Sequence, residues 1–336
     1  MASEASDEVA LDSAPFFRLY KSGRVERLLG TSVVPPGLDP ATSVLSKDVP
    51  LHPDSPIPSA RLYLPRNLDD DAAVSETKPK LLPVLVYIHG GGFVVESAAS
   101  PTYHAYLNAL ASRAQILVVS VEYRRAPEHP LPAAYDDAWA ALRWAAARAD
   151  PWLAERGDLS RVFLGGDSAG ANIAHNVATR VAAEGLGVRI EGLILIHPWF
   201  WGEEEEEEEI GAEEAERRRR TTKGFWDLVS PGTEVAKDPR LNPMAKGEEE
   251  RLRTLPCERL MVAVAEKDVL RERGREYCEG LKRSGFERRV ELLESEGEEH
   301  VFHLRNPKCD KANEMMDRVV AFLNSHHYND TLGLCS

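Results

Sequence analysis

The segment that most constrains the fold has the sequence Gly-Asp-Ser-Ala-Gly and occupies residues 166–170. It follows a short apolar run at 161–165, which predicts a buried strand, and it precedes an alanine-rich stretch that predicts a helix to about Glu184. The two glycines lack a Cβ, so they permit a sharp turn between the strand and the helix. A serine on such a turn projects its hydroxyl at the end of a sheet, which is a position suited to a nucleophile.

A second glycine motif, His-Gly-Gly-Gly-Phe at 89–93, follows another predicted strand at 83–88. Successive glycines leave backbone N–H groups that a ligand can approach closely. Two such groups aimed at one point can stabilise a developing oxyanion. Alone, the loop could be an ordinary glycine-rich connection, but its combination with the serine motif favours a catalytic site. We expect His89 to brace this loop and Asp167 to be structural.

A serine nucleophile requires two further groups. Its hydroxyl is weakly nucleophilic at neutral pH and needs a base that a carboxylate orients. After a strand–serine–helix turn, the acid and then the histidine follow along the chain. Asp268 lies just beyond a predicted strand at 259–265 and is therefore the candidate acid, with Glu266 as the alternative.

The candidate base follows the last predicted strand, at 288–293. His300 lies in the loop after that strand. His303 is the alternative, but apolar residues on either side of it indicate that a helix begins there. The sequence therefore predicts Ser168, Asp268 and His300 as the catalytic residues.

Predicted strands and helices alternate along most of the chain. After two strand candidates at about 44–51 and 60–64, six further strands are predicted at 83–88, 116–121, 161–165, 190–196, 259–265 and 288–293. Mostly apolar strands separated by helices indicate a parallel sheet that is covered on both faces. We therefore predict an α/β fold, with a mostly parallel central sheet flanked by helices, in one domain spanning 1–336.

The composition excludes several classes of function. The chain has 336 residues and a net charge of −14, without the clustered basic residues that a nucleic-acid surface needs. No apolar run reaches the roughly 18 residues of a membrane span. The acidic start of the chain does not resemble a secretory signal. The four cysteines have no metal-ligand spacing and are expected to be free thiols of a reducing compartment, which favours a cytoplasmic location: Cys257, Cys278, Cys309 and Cys335.

Two charge runs interrupt the regular pattern. Seven glutamates extend from Glu203 to Glu209, and four arginines from Arg217 to Arg220. Repulsion between like charges favours an extended chain, so we predict a solvated, mobile surface insertion. A docking site for a basic partner is the alternative. Residues 1 to about 12 are polar and are predicted to be frayed.

Several motifs together resemble the hormone-sensitive-lipase-like branch of the α/β hydrolases. They lie at 89–93, 123–137, 166–170, 266–268 and 300–302. Three further segments are similar, more narrowly, to the plant class I carboxylesterases, a group that includes gibberellin receptors and 2-hydroxyisoflavanone dehydratases. These segments lie at 21–27, 46–48 and 240–243. The resemblance spans about residues 14 to 325, and the glutamate run departs from it.

The resemblance implies an α/β-hydrolase fold and a serine carboxylesterase that hydrolyses small to medium esters through an acyl-enzyme, without a metal or cofactor. It implies that the N–H groups of Gly91, Gly92 and Ala169 form the oxyanion hole. An isoflavonoid-type dehydratase is one alternative. A hormone receptor is another, although gibberellin receptors lack the histidine that corresponds to His300.

The substrate is expected to lie under a cap formed by about 1–45 and 199–245. Candidates for the pocket lining are Phe93, Trp199, Phe200, Val269 and Val301. His197, Trp199 and Phe200 follow a predicted strand at the sheet edge where α/β proteins bind ligands, but simple packing explains them equally well. The expected partner is a small ester, with no nucleic acid or membrane, and the expected state is a monomer or weak homodimer.

Overall fold

A computed structural model of the chain describes residues 8–52, 55–66, 80–202 and 211–325. The glutamate run from Glu203 to Glu209 and Cys335 lie outside these ranges, so the prediction of an insertion at the glutamates stays a prediction.

The described strands are β1 (Val9–Ser13), β2 (Phe17–Tyr20), β3 (Val25–Arg27), β4 (Leu38–Asp39), β5 (Val44–His52), β6 (Ser55–Pro65), β7 (Leu82–Ile88), β8 (Leu117–Glu122), β9 (Gly157–Asp167), β10 (Ile190–Ile196), β11 (Cys257–Ala265) and β12 (Arg289–Ser295). The described α-helices are α1 (Pro101–Ala114), α2 (Ala133–Ala146), α3 (Pro151–Arg156), α4 (Ala169–Glu184), α5 (Ala212–Val229), α6 (Glu249–Arg253), α7 (Arg271–Ser284), α8 (Phe302–Arg305) and α9 (Asp310–Asn324).

Nine strands form the central sheet, in the order β12-β11-β10-β9-β7-β8-β6-β5-β4. The strands from β12 to β8 are parallel to their neighbours. The remaining strands, β6, β5 and β4, pair antiparallel at the other edge. The predicted mostly parallel sheet is confirmed, and all of the strands predicted from residue 44 onward are present.

Helices cover both faces of this sheet because the side chains of a strand alternate between its faces. In β7, Val84 and Val86 pack with one buried cluster, which includes α2, α4 and α7. Leu85 and Tyr87 pack with a second cluster, which includes α1 and α9. The central strands therefore bury both faces, which explains why their sequences are apolar without a period of two.

The topology places the predicted site residues at one edge of the sheet. The loops that follow the parallel strands β7, β9, β11 and β12 carry the glycine loop, Ser168, Asp268 and His300, respectively. Because carboxyl ends of parallel strands lie at the same edge, residues distant in the sequence meet there.

A separate sheet of β1, β2 and β3 lies at the N-terminus. The prediction of a frayed segment up to residue 12 is wrong for β1, which pairs antiparallel with β2. The reason is that strand pairing satisfies backbone groups even when the side chains, as in β1, are largely exposed. By contrast, β4 belongs to the central sheet, although it lies within the expected cap boundary of 45.

The N-terminal sheet contacts helix α5 through aromatic rings. Phe17 and Phe225 lie edge to face, with ring centroids 6.4 Å apart. The arginine run Arg217–Arg220 belongs to α5, so the prediction that it forms part of an extended insertion is wrong. Two of these arginines, Arg219 and Arg220, pair with Glu216, which lies one turn away in the same helix.

Within the described ranges, no helix has both the length and the apolar character needed to cross a membrane.

Candidate active site

The turn that carries Ser168 is built on two close backbone contacts. A Cβ on Gly166 would lie 2.4 Å from the carbonyl oxygen of Ile88, and one on Gly170 would lie 2.0 Å from the same atom. Only glycine fits at these two positions. Ser168 itself has φ +52° and ψ −118°, a strained conformation for a residue with a side chain. The strain is held by the strand before it and the helix after it, as the sequence motif predicts.

His300 joins Ser168 to Asp268. Its Nε2 atom lies 2.9 Å from the Ser168 Oγ atom, and its Nδ1 atom lies 2.6 Å from the Asp268 Oδ2 atom. An ionised carboxylate can only accept, so Nδ1 carries the proton and Nε2 accepts from the serine hydroxyl. The three residues predicted from the sequence are therefore brought together as a hydrogen-bonded chain.

Asp268 is positioned to stay ionised. Its side chain is 1% exposed, whereas that of His300 is 28% exposed. Burial by itself raises the pKa of Asp268, but the hydrogen bond and charge of His300 and the N–H of Leu270 outweigh burial, so this pKa lies below its ordinary value. The Leu270 N–H donates to the Asp268 Oδ1 atom at 2.9 Å, which leaves Oδ2 for the histidine.

The two alternative candidates, Glu266 and His303, make no hydrogen bond to Ser168, His300 or Asp268 in the described structure. Glu266 accepts a hydrogen bond from the N–H of Gly297 at 2.6 Å in an exposed turn. His303 is the second residue of α8 and is buried. Among the described residues, neither of its ring nitrogens has a hydrogen-bond partner. Burial lowers the pKa of His303 to about 3, so its ring is neutral.

The backbone N–H groups of Gly91 and Gly92 in the glycine loop are available to a ligand. Gly91 and Gly92 have φ +92° and +60°, and a Cβ on Gly91 would lie 2.2 Å from the Val95 carbonyl oxygen. Within the described part of the chain, the N–H groups of Gly91 and Gly92 donate no hydrogen bond. Ala169, the third expected donor, is the first residue of α4, where helix N–H groups lack intrahelical partners.

His89 braces the glycine loop, as expected. It is fully buried, its Nδ1 atom lies 2.8 Å from the Gly90 carbonyl oxygen, and its ring stacks on Tyr123 at 4.3 Å. Burial lowers the pKa of His89 to about 3, so the imidazole is neutral and is unsuited to accept a proton.

Asp167 is a structural residue, also as expected. It is buried and accepts hydrogen bonds of 2.9 Å from Tyr87 and 2.8 Å from Tyr103. Burial raises its pKa to about 6, although both tyrosine hydrogen bonds act in the opposite direction. The two tyrosines were not identified from the sequence, because an isolated tyrosine in a strand or helix carries no signal of its partner.

Aromatic residues line the space beside the glycine loop. Trp199 and Phe225 stack with ring centroids 4.7 Å apart. A Cβ on Gly92 would lie 3.0 Å from the Phe225 Cζ atom and 3.2 Å from the Trp199 Cζ3 atom. The Phe93 ring lies 5.9 Å from the Trp199 ring. The sequence predicts Trp199 and Phe93 as pocket residues, and Phe225 lies in the expected cap segment 199–245.

The other three pocket candidates lie in different surroundings. The structure does not place Phe200 in this wall: it is fully buried in the core, 4.9 Å from the Tyr277 ring, because the strand direction turns its side chain toward α7. Val269 is 57% exposed beside Asp268. Val301 is partly exposed and directly follows His300.

Asn172, one turn into α4, holds two segments that the sequence left unconnected. Its Nδ2 atom donates to the carbonyl oxygens of Trp199, at 2.9 Å, and of Arg240, at 2.7 Å. Its Oδ1 atom accepts from the Tyr135 hydroxyl at 2.9 Å. These bonds anchor residues near 199 and 240 to the helix that begins at the serine. No motif indicated Asn172, since one asparagine in an alanine-rich helix is unremarkable in sequence.

The ligand atoms of His197, Asp268 and His300 lie within 4.8 Å of one another, a spacing that a metal ion could bridge. Hydrogen bonding accounts for the arrangement. Both ring nitrogens of His300 make hydrogen bonds, Nδ1 to Asp268 and Nε2 to Ser168. His197 Nδ1 accepts a hydrogen bond from the Val301 N–H at 2.8 Å. A metal ion would have to displace the hydrogen bonds that His300 makes to Asp268 and Ser168, so the donor set does not fit a resident metal.

The matching family model, described as alpha/beta hydrolase fold, covers residues 85–304. The chain belongs to this family. Among curated relatives, a probable carboxylesterase 2 of Arabidopsis thaliana is 42% identical, over 94% of this chain and 97% of that protein. A 2-hydroxyisoflavanone dehydratase of Glycyrrhiza echinata is 44% identical, over 96% of this chain and 98% of that protein.

A solved structure supports the same assignment. A hyperthermophilic esterase from the archaeon Pyrobaculum calidifontis matches with a TM-score of 0.65 and 27% identity. The match covers 83% of this chain and 84% of that one. The resemblance to plant members of the α/β hydrolases, which the sequence motifs indicated, is therefore confirmed.

Proposed function

We propose that this protein is a serine carboxylesterase that hydrolyses small to medium carboxylic esters through an acyl-enzyme on Ser168. The protein is an enzyme of the carboxylic ester hydrolase class. The observation that carries the proposal is the position of His300, which contacts the Ser168 hydroxyl at 2.9 Å and Asp268 at 2.6 Å. The carboxylesterase and esterase names of the relatives support it.

In the first half of the reaction, His300 Nε2 takes the proton from Ser168 as Oγ bonds to the ester carbonyl carbon. Asp268 holds the Nδ1–H tautomer and stabilises the imidazolium that forms. When the tetrahedral intermediate collapses, the C–O bond to the alcohol breaks, and His300 returns the proton to the leaving alcohol. The acyl group is left on Ser168.

In the second half, water attacks the acyl-enzyme. His300 removes a proton from the water as its oxygen bonds to the acyl carbon, and then returns that proton to Ser168 as the carboxylic acid leaves. The N–H groups of Gly91, Gly92 and Ala169 stabilise the oxyanion in both halves. Removing one such donor typically costs about 10²–10³ in kcat.

The cap over the site is part of the same proposal. Among the described residues, it comprises 8–37, which precede β4, together with 199–202 and 211–245. Arg27 supports this arrangement, because its guanidinium contacts the Val94 carbonyl oxygen at 2.6 Å and both carboxylate oxygens of Glu128 at 2.7–2.8 Å. The N-terminal segment is thereby tied to the loop that carries the glycines.

One relative favours a second candidate, an isoflavonoid-type dehydratase. That reaction would use the oxyanion donors to polarise a ketone and would form no acyl-enzyme. A hormone receptor is disfavoured, because a receptor would have no need for His300 to contact both Ser168 and Asp268.

The proposed partner is a small-molecule ester, and the proposed state is a monomer or weak homodimer in the cytoplasm. Cys257, Cys278 and Cys309, all free thiols, support a reducing compartment. The net charge of −14 disfavours binding to nucleic acid.

The direct test is hydrolysis of a short activated ester by the wild type and by Ser168→Ala. We expect the variant to keep its melting temperature and to lose roughly 10⁴–10⁶ in kcat. Substantial hydrolysis by Ser168→Ala, or labelling of it by an organophosphate, would contradict the proposal.

A further inference from the structure

The four-residue segment 196–199, which begins at the last residue of β10, contacts the backbone of Ser168 on both sides. The Ser168 N–H donates to the Ile196 carbonyl oxygen at 2.8 Å. The Trp199 N–H donates to the Ser168 carbonyl oxygen at 3.1 Å. The segment therefore holds the serine through main-chain hydrogen bonds that do not depend on substrate.

The same segment also contacts the loop of the base. His197 is fully buried, and its Nδ1 atom accepts from the Val301 N–H at 2.8 Å. Val301 directly follows His300 and has φ +49°, which is unfavourable for a β-branched residue. Such a conformation persists only where its surroundings enforce it. The hydrogen bond to His197 is one such constraint, placed next to His300.

His197 is itself held firmly. Its N–H donates to the Ala263 carbonyl oxygen in β11 at 2.8 Å, and its φ is +47°. Its ring lies 5.7 Å from the His300 ring and 5.7 Å from the His303 ring. The backbone of His197 is fixed by strand β11, and its imidazole accepts a hydrogen bond from the residue after His300. His197 can therefore set the position of the loop that carries His300.

The ring of His197 is neutral and of one tautomer. Burial, followed by the neighbouring His300 and His303, lowers the pKa of His197 well below its ordinary value. Because Nδ1 accepts a hydrogen bond, the proton is on Nε2. A neutral ring also adds no second positive charge beside His300 when His300 takes the proton from Ser168.

We propose that His197 is a positioning residue that sets His300 relative to Ser168, through the hydrogen bond that it accepts from Val301. The proposal rests on the proposed function for its effect on rate. Displacement of a reacting group by about 1 Å can cost about 10² in rate. His197 thus acts on the reaction through the placement of the base, without contacting the reacting atoms.

Three substitutions test this role. His197→Phe keeps the ring and removes the acceptor. His197→Asn restores an acceptor near the position of Nδ1, and His197→Gln carries the same amide group one methylene farther out. His303→Phe is the matched control, because His303 is also a buried, neutral histidine and its ring lies as far from the His197 ring as that of His300 does. Among the described residues, however, its ring nitrogens have no hydrogen-bond partner.

We expect His197→Phe to lower kcat about tenfold to hundredfold, with KM changed less than about threefold, because substrate contacts are intact while the base is displaced. His197→Asn should recover most of kcat, and His197→Gln should not. His303→Phe should keep kcat within about threefold. Equal rates for wild type and His197→Phe, or equal losses in the Asn and Gln variants, would overturn the proposal. If His197→Phe does not fold, the contrast between Asn and Gln decides.

A second readout separates this role from the esterase activity. The Nδ1 proton that His300 shares with Asp268 should give a far-downfield NMR signal, assigned by its absence in His300→Ala. We expect this signal to broaden or shift in His197→Phe and to persist in His197→Asn and His303→Phe. If wild type hydrolyses no ester but the signal responds in this way, the proposed function fails and the positioning role stands. An unchanged signal in His197→Phe overturns the role.

Discussion

Tyr103 connects the two glycine motifs through one hydroxyl group. It donates to the Asp167 Oδ2 atom at 2.8 Å and accepts from the Gly90 N–H at 2.8 Å. Asp167 immediately precedes Ser168, and Gly90 immediately precedes Gly91. The hydroxyl therefore fixes the spacing between the nucleophile and the proposed oxyanion donors. A Cβ on Gly90 would lie 2.5 Å from the Asp167 Oδ2 atom, so the contact also requires glycine.

The buried carboxyl of Asp167 predicts a pH dependence of stability. Its pKa is raised from an ordinary 3.8 to about 6 by burial. The folded state thus binds its proton more tightly than the unfolded state. The stabilisation from that proton is fully present below pH 3.8 and is lost as the pH rises through about 6. At about 1.4 kcal/mol per pKa unit, the loss is roughly 3 kcal/mol.

The measurement is the free energy of unfolding of wild type and Asp167→Asn by chemical denaturation at several pH values from 4 to 7, on the order of one unit apart. The asparagine does not titrate, so the difference between the two proteins isolates Asp167. We expect wild type to lose stability relative to the variant as the pH rises. A difference that is constant with pH, or that changes in the opposite direction, would show that Asp167 is ionised throughout this range.

The two neighbouring histidines are expected to differ sharply in their effect on activity. His300→Ala should abolish turnover of a short ester while substrate-sized ligands still bind, because the base acts on the Ser168 proton and other residues shape the pocket. His303→Ala should cost far less in kcat, since His303 contacts neither Ser168 nor Asp268 in the described structure. Steady-state kinetics, with inhibitor binding by calorimetry, checks both. A larger loss of kcat in His303→Ala would reverse the assignment of the base.

The aromatic wall predicts the acyl-chain preference. Phe225 and Trp199 lie close to Gly92, so we expect acetyl to butyryl esters to be hydrolysed with far higher kcat/KM than esters with acyl chains of roughly ten carbons. Phe225→Ala should raise the octanoyl-to-acetyl ratio of kcat/KM about tenfold by removing the ring nearest Gly92. Phe16→Ala is a suitable control, because Phe16 is 40% exposed. A wild-type preference for long chains, or an unchanged ratio in Phe225→Ala, would place the acyl pocket elsewhere.

The sequence predicted the parts of the site that depend on strand order. Ser168, Asp268 and His300 each follow an apolar strand, and parallel strands place such loops at one edge. The distinction between His300 and His303 also came from the sequence, because the apolar neighbours of His303 indicated the helix α8 that the structure contains. For these residues the local pattern was sufficient, because each lies in or just after a loop that a strand positions.

The residues that were missed depend on side-chain direction. Tyr103 lies on a helix whose apolar pattern accounts for it as core, and nothing in that pattern shows that its hydroxyl reaches Asp167. Phe200 was considered a pocket residue because it follows β10, but its ring packs on Tyr277 in the core. The strand β1 was missed because its exposed side chains resemble a polar terminus. Only tertiary packing determines these three outcomes.

The central claim is the covalent intermediate on Ser168, and rapid mixing with an activated acetyl ester tests it most directly. The reaction is quenched in acid within milliseconds, the protein is digested, and the peptide that contains Ser168 is analysed by mass spectrometry. We predict an added acetyl group on Ser168 in wild type and none in Ser168→Ala, with a burst of released alcohol that matches the amount of acetylated enzyme. Turnover without acetylation of Ser168, or acetylation of another residue at the burst rate, would contradict the account.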